Sequence, residues 1–128
     1  MSVQHVTVTV PDPGRVPEVE GFLRLLGGVD LVRPPKLVAD TPGCGMGFGE
    51  GTQVHVVVGG PAAAEAHFAL HLGDRYDAVL EALRAASVPV RTARDLWGGR
   101  RSFVRDPAGN LIELFDVPPP SEPADDAP

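Results

Sequence analysis

The chain has 128 residues, of which 43% are hydrophobic and 22% charged, and its formal net charge is −6 at pH 7. This length suits one domain with its own core, and the negative charge disfavours a nucleic-acid partner. No apolar run is long enough to span a membrane, no signal-peptide pattern opens the chain, and the single cysteine, Cys44, cannot form an intrachain disulfide, so a cytoplasmic protein is predicted.

The first half of the chain alternates between strand and helix patterns. A strand with period-two alternation is predicted from Val3 to Val10, and an amphipathic helix from Val16 to Leu26. A short strand is expected from Val29 to Arg33 and a clearer one from Thr52 to Val58. The glycine-rich run from Gly43 to Gly49 is typical either of a strand with a close neighbour or of a mobile loop.

The second half repeats this order. The predicted elements are a strand from His67 to Leu72, a helix from Asp74 to Ala86, and strands from Val88 to Ala93, Arg100 to Arg105 and Asn110 to Val117. The last two strands flank an Asp-Pro-x-Gly-Asn turn, which predicts a hairpin. The chain is therefore predicted to be an α+β protein of two tandem βαβββ modules, residues 1–60 and 65–117, within a single domain, followed by a disordered tail, residues 118–128.

Aligning the two halves superposes ligand-type side chains. His5 falls on His67, and His55 falls on Glu113. Because each helix must cover the apolar face of its strands, these four side chains are expected on the other face. Three imidazoles and one carboxylate predict a site for a divalent transition metal, namely Fe, Mn, Co, Ni or Zn. The alternative interpretation is that the histidines are polar surface residues and Glu113 is a solvated strand carboxylate.

His5, His67 and the segment from Phe103 to Leu114, which contains the Asp-Pro-x-Gly-Asn turn and Glu113, resemble the vicinal oxygen chelate superfamily. That superfamily includes glyoxalase I, extradiol dioxygenases and bleomycin-resistance proteins. The resemblance implies an open, cup-shaped mixed sheet around a metal, usually in a homodimer with sites near or across the subunit interface. It also implies that His5, His55, His67 and Glu113 are the metal ligands.

Other residues receive roles from the same resemblance. Arg101 and Phe103 correspond to residues that contact substrate, and Trp97 is expected at the rim of the cavity. His71 and Gln53 share the predicted inner face and are interpreted as cavity wall that contacts the substrate. Arg101 also has the simpler interpretation of a solvated cation at a strand edge.

Two families of enzyme are only partly matched. The glyoxalase I pattern has a glutamate where this chain has His55, so Glu113 is the only carboxylate left for proton transfer and the predicted catalytic group. His5, His67 and Glu113 match the ligand triad of extradiol dioxygenases, with His55 at a position that those enzymes leave open. The prediction is a metal-dependent lyase, isomerase or dioxygenase acting on a small substrate with vicinal oxygens. The alternative is a metal-free, drug-binding resistance protein.

Overall fold

The computed structural model describes residues 3–31, 43–62, 64–95 and 98–118. Its strands are β1 (His5–Val10), β2 (Val29–Asp30), β3 (Gly43–Gly47), β4 (Gln53–Val58), β5 (His67–His71), β6 (Arg91–Ala93), β7 (Arg101–Arg105) and β8 (Leu111–Phe115). Its helices are α1 (Val16–Leu25) and α2 (Tyr76–Ala85), each preceded by a short 3-10 turn. Trp97 and residues 119–128 of the predicted tail lie outside the described residues.

Each half of the chain forms its own four-stranded sheet, in the orders β1-β4-β3-β2 and β5-β8-β7-β6. The pairs β1–β4 and β5–β8 are parallel, and the other neighbouring strands are antiparallel. Two parallel strands must be joined by a long crossover connection. In each half this connection starts with the helix, α1 or α2, and continues through the two intervening strands. The predicted α+β fold of two βαβββ modules is confirmed. The first four strands form module one, and the last four form module two.

The helices cover one face of each sheet with the apolar stripes that the sequence predicts. Helix α1 buries Val16, Val19, Phe22 and Leu23, and α2 buries Tyr76, Val79, Leu80 and Leu83. They pack with alternate strand residues, among them Val8, Val10, Val54, Val56, Leu70, Val104, Ile112 and Leu114. Both modules contribute to this single hydrophobic cluster. The intervening strand residues therefore point away from the helices.

Two local features refine the sequence expectations. Helix α1 ends with Gly27 at a φ of 102°, where the amide of Gly28 donates to the carbonyl of Leu23 at 2.9 Å. This is the glycine-dependent helix end that the Gly-Gly pair predicts. In the glycine-rich run, the segment from Gly43 to Gly47 is a strand that pairs with β4, so the strand alternative is correct there.

A cleft of about 370 Å³ lies between the edge strands β1 and β5, lined on one side by Val6, Thr7, Val8 and Thr9 and on the other mainly by Ala66, His67, Phe68 and Leu111. The side-chain amide of Asn110 bridges the modules at one end of the cleft by donating to the carbonyl of Thr9 at 3.0 Å. Neither helix in the described part of the chain is long and apolar enough to cross a membrane.

Candidate metal centre and substrate face

The predicted ligands of module one lie side by side on β1 and β4. The rings of His5 and His55 stack with centroids 4.1 Å apart and an interplanar angle of 15°. Nδ1 of His5 donates to Oε1 of Gln4 at 2.7 Å, and Nε2 of His55 donates to Oε1 of Gln53 at 2.7 Å. In each neutral ring the other nitrogen keeps a lone pair. Each ring is thus oriented by an amide oxygen and retains one potential ligand atom.

A glycine on β3 makes room for this pair. Gly45 lies directly across from His55 in the antiparallel ladder, and a Cβ atom there would come 3.5 Å from Cδ2 of the imidazole. The ring of His55 therefore lies over bare backbone and is half-buried. Burial lowers the pKa of His55 below its usual range because it disfavours the charged ring, and charge repulsion from the neighbouring His5 lowers it further.

The predicted ligands of module two also form a pair. Nε2 of His67 lies 3.3 Å from Oε2 of Glu113. Nδ1 of His67 donates to the carbonyl of Glu65 at 3.1 Å, so in the neutral ring Nε2 carries the lone pair. In that tautomer two lone-pair atoms face each other, an arrangement that favours a cation between them, either a proton or a metal ion.

Glu113 is held from its other side by Arg101. Glu113 is only 8% exposed, and Nη1 of Arg101 donates a hydrogen bond to its Oε1 at 3.0 Å. The guanidinium also donates through Nε to the carbonyl of Arg94 at 2.8 Å. A buried carboxylate requires such a partner, because burying an unpaired charge is costly. The interpretation of Glu113 as a solvated carboxylate does not fit this burial.

Phe103 lies between the predicted metal ligands and the outer strand of module two. It lies directly across from Glu113 on β8 and from Arg91 on β6. The ring of His67 contacts it edge-on, with centroids 5.5 Å apart. The guanidinium carbons of Arg91 and Arg101 lie 4.8 Å and 5.6 Å from its centroid. Phe103 therefore packs against one predicted ligand and two cations.

The other residues predicted to contact substrate have different neighbours. His71 stacks on Phe115, with centroids 5.4 Å apart, and its Nε2 donates to the carbonyl of Asp116 at 3.1 Å. Gln53 orients His55, as described above. The substrate-binding roles of His71, Gln53 and Trp97 stay predictions.

The hairpin turn before β8 is stabilised by a buried carboxylate. Oδ1 of Asp106 accepts hydrogen bonds from the amides of Ala108 and Asn110 at 2.9 Å and 2.8 Å. Its Oδ2 accepts from the side-chain amide of Asn110 at 2.8 Å. Burial raises the pKa of Asp106, although these hydrogen bonds act in the opposite direction. The turn thus fixes the start of the strand that carries Glu113, and Asn110 ties it to module one.

The structure brings the predicted ligands together as two pairs. Among residues 3–31, 43–62, 64–95 and 98–118, no three His, Cys, Asp or Glu side chains lie close enough together to hold a metal ion. The donors of module two nevertheless fit a metal. A separation of 3.3 Å suits two atoms bound to one ion through bonds of about 2.1 Å. Imidazole and carboxylate are ligands for all the predicted metals.

Arg91 is the residue of this face that the sequence analysis missed. Its strand is short, and period two alone places Arg91 and Ala93 on one face without showing which residue lies opposite. The available signal was the hairpin register. Counting back from the turn places Phe103 across from Glu113, and the next strand then presents Arg91 to Phe103.

Residues 23–114 match the family profile described as the glyoxalase/bleomycin resistance protein/dioxygenase superfamily. No curated protein matches the sequence significantly.

Among solved structures, a glyoxalase family protein from Bacillus anthracis is 25% identical with a TM-score of 0.78, covering 90% of this chain and 93% of that one. The fosfomycin resistance protein FosX from Listeria monocytogenes is 17% identical with a TM-score of 0.73 and 91% coverage of both chains. Lactoylglutathione lyase from Agrobacterium tumefaciens is 17% identical with a TM-score of 0.67, covering 89% of this chain and 92% of that one.

Proposed function

Because this chain belongs to the glyoxalase/bleomycin resistance protein/dioxygenase superfamily, we propose that it is a metal-dependent enzyme acting on a small substrate with vicinal oxygens. The observation that carries the proposal is the pair formed by His67 and the buried Glu113. The carbonyl of Glu65 directs the lone pair of His67 toward the carboxylate, and a divalent cation satisfies both ligand atoms at once.

The two pairs of ligands suggest that a second copy of the chain completes the site. In this proposal module two supplies His67 and Glu113, and module one of the second copy supplies His5, with His55 as the fourth ligand. This arrangement explains why a single chain holds the donors as two separate pairs. A symmetric dimer would contain two such sites.

The side chains around the site have distinct tasks in this proposal. A bound divalent metal supplies Lewis-acid stabilisation of negative charge that develops on a substrate oxygen. Arg101 occupies Oε1 of Glu113 and leaves Oε2 for the metal, so Glu113 is a one-oxygen ligand. Because Arg101 would engage one carboxylate oxygen and the metal the other, we infer that Glu113 binds the metal and does not transfer protons.

Elemental analysis of untagged protein tests the proposal. We expect close to one transition-metal ion per chain, lost in His67→Ala and in Glu113→Ala. The matched control is His71→Ala, which removes an imidazole from the same strand and the same face but leaves the pair intact. Equal metal loss in all three variants would refute the assignment of His67 and Glu113.

The same preparation separates the alternatives for function. Metal-free wild-type protein that binds an aromatic or glycopeptide antibiotic tightly would replace the enzyme by a drug-binding resistance protein. If metal is present, oxygen consumption with catechols indicates a dioxygenase. Activity on hemithioacetals without oxygen consumption indicates a lyase.

A further inference from the structure

We propose that Arg91 binds an anionic group of the substrate, so that the substrate is a small molecule carrying a carboxylate or phosphate in addition to its vicinal oxygens. The inference rests on the proposed metal site and adds to it the charge of the substrate.

The position of Arg91 is set by three neighbouring strands. Arg91 on β6, Phe103 on β7 and Glu113 on β8 lie directly across from one another. With strands about 4.8 Å apart, the Cα atoms of Arg91 and Glu113 are roughly 10 Å apart. A molecule the size of one substituted ring spans the distance from the proposed metal ligand Glu113 to the guanidinium of Arg91. The guanidinium carbon of Arg91 lies 4.8 Å from the centroid of the Phe103 ring, and this contact limits where the cation can move.

The charges of this face leave Arg91 available. Arg101 is committed to Glu113 and to the carbonyl of Arg94, and the second oxygen of Glu113 faces His67. Within the described part of the chain, Arg91 makes no hydrogen bond or ion pair. A guanidinium packed on a ring keeps its N–H groups for a partner in its own plane.

The balance of charge around Phe103 also favours an anion. Arg91 and Arg101 contribute two positive charges and Glu113 one negative charge, so the face is positive by one unit although the whole chain carries −6. A divalent metal would make it more positive. Arginine suits the task because its N–H groups can bind two oxygens of a carboxylate or phosphate together. In this proposal Arg91, rather than Arg101, binds the anionic group of the substrate.

The first experiment uses metal-free protein and inorganic phosphate, so it does not depend on the metal. The side-chain Nε–H resonance of Arg91, identified by its loss in Arg91→Met, is followed by NMR during a phosphate titration. We expect it to shift saturably with phosphate in the wild type and in Arg84→Met, which removes the same charge from the outer surface of α2. A resonance that phosphate does not shift would mean that Arg91 is only a solvated cation at a sheet edge, and would overturn the inference.

The second experiment uses metal-loaded protein and two ligands that share a vicinal diol. Protocatechuate carries a carboxylate remote from the diol, whereas catechol has none. We expect Arg91→Met to weaken protocatechuate binding about tenfold, as the loss of one charge-assisted interaction predicts, and to leave catechol binding unchanged. Arg91→Lys should recover part of the difference.

The outcomes separate the two proposals. Equal weakening of both ligands, or none, would contradict the role of Arg91 while leaving the metal site in place. Failure of the wild type to bind any metal would refute the proposed enzyme, whereas the phosphate titration would still test Arg91 as an anion site.

Discussion

Replacing Arg101 by methionine removes the guanidinium that holds the carboxylate of Glu113. The side chains of this pair are 17% and 10% exposed, so the interaction is shielded from solvent. Breaking a buried ion pair from one side typically costs about 3–5 kcal/mol, because the remaining charge stays buried. We therefore expect Arg101→Met to lower the free energy of unfolding by about 3 kcal/mol, or the melting temperature by roughly 10 °C in a chain of this size.

Urea unfolding of metal-free protein measures this effect in a double-mutant cycle with Glu113→Gln. The neutral amide no longer needs a cation, so the double variant should be more stable than the sum of the single losses predicts. We expect a coupling of about 2 kcal/mol between the two positions. Arg84→Met, which changes the same charge at a remote helix surface, should change stability by less than about 0.5 kcal/mol. A coupling near zero would refute the conclusion that Arg101 holds Glu113.

The other predictions concern the hairpin and the histidine pair. Asn110→Ala removes hydrogen bonds to Thr9 and to the buried Asp106. We expect urea unfolding to show a free energy of unfolding lower by about 1–3 kcal/mol. A decrease below about 0.5 kcal/mol would show that the turn does not depend on these hydrogen bonds. Burial and the neighbouring His5 lower the pKa of His55 in the folded state, so the unfolded state takes up a proton more readily. The free energy of unfolding is therefore expected to fall as the pH is lowered from about 7.5 to about 5.5. His55→Gln should make this fall smaller in urea titrations at the two pH values, and an unchanged pH dependence would contradict the assignment.

The sequence predicts most of the fold because its signals are local. Period-two alternation places Glu113 among Leu111 and Phe115, away from the core residues Ile112 and Leu114, and the structure agrees. The repeat predicts that both halves share one order of elements, and they do. The parallel pairing of the first and fourth strand of each module comes from the structure alone. The glycine-rich β3 could not be decided in this way, because glycines carry no side-chain pattern. Its pairing with β4 is what makes it a strand.

The site is harder to predict because it depends on contacts between strands. The repeat alignment matches His55 with Glu113 and His5 with His67, but it contains no distances between them. The structure instead pairs the two residues within each module, His5 with His55 and His67 with Glu113. The contact between Arg101 and Glu113 was also missed, because period two shows which side chains share a face and not which of them form ion pairs.

The metal content of a mixed dimer tests the central claim most directly. Chains carrying both His5→Ala and His55→Ala are co-expressed with chains carrying Glu113→Ala, each with a different tag. The mixed dimer is isolated through both tags, which are then cleaved off. If one module of each copy forms each site, both homodimers lack metal, while the mixed dimer keeps one intact site and binds about half an ion per chain. If the mixed dimer binds no more metal than either homodimer, a site shared between two copies is ruled out.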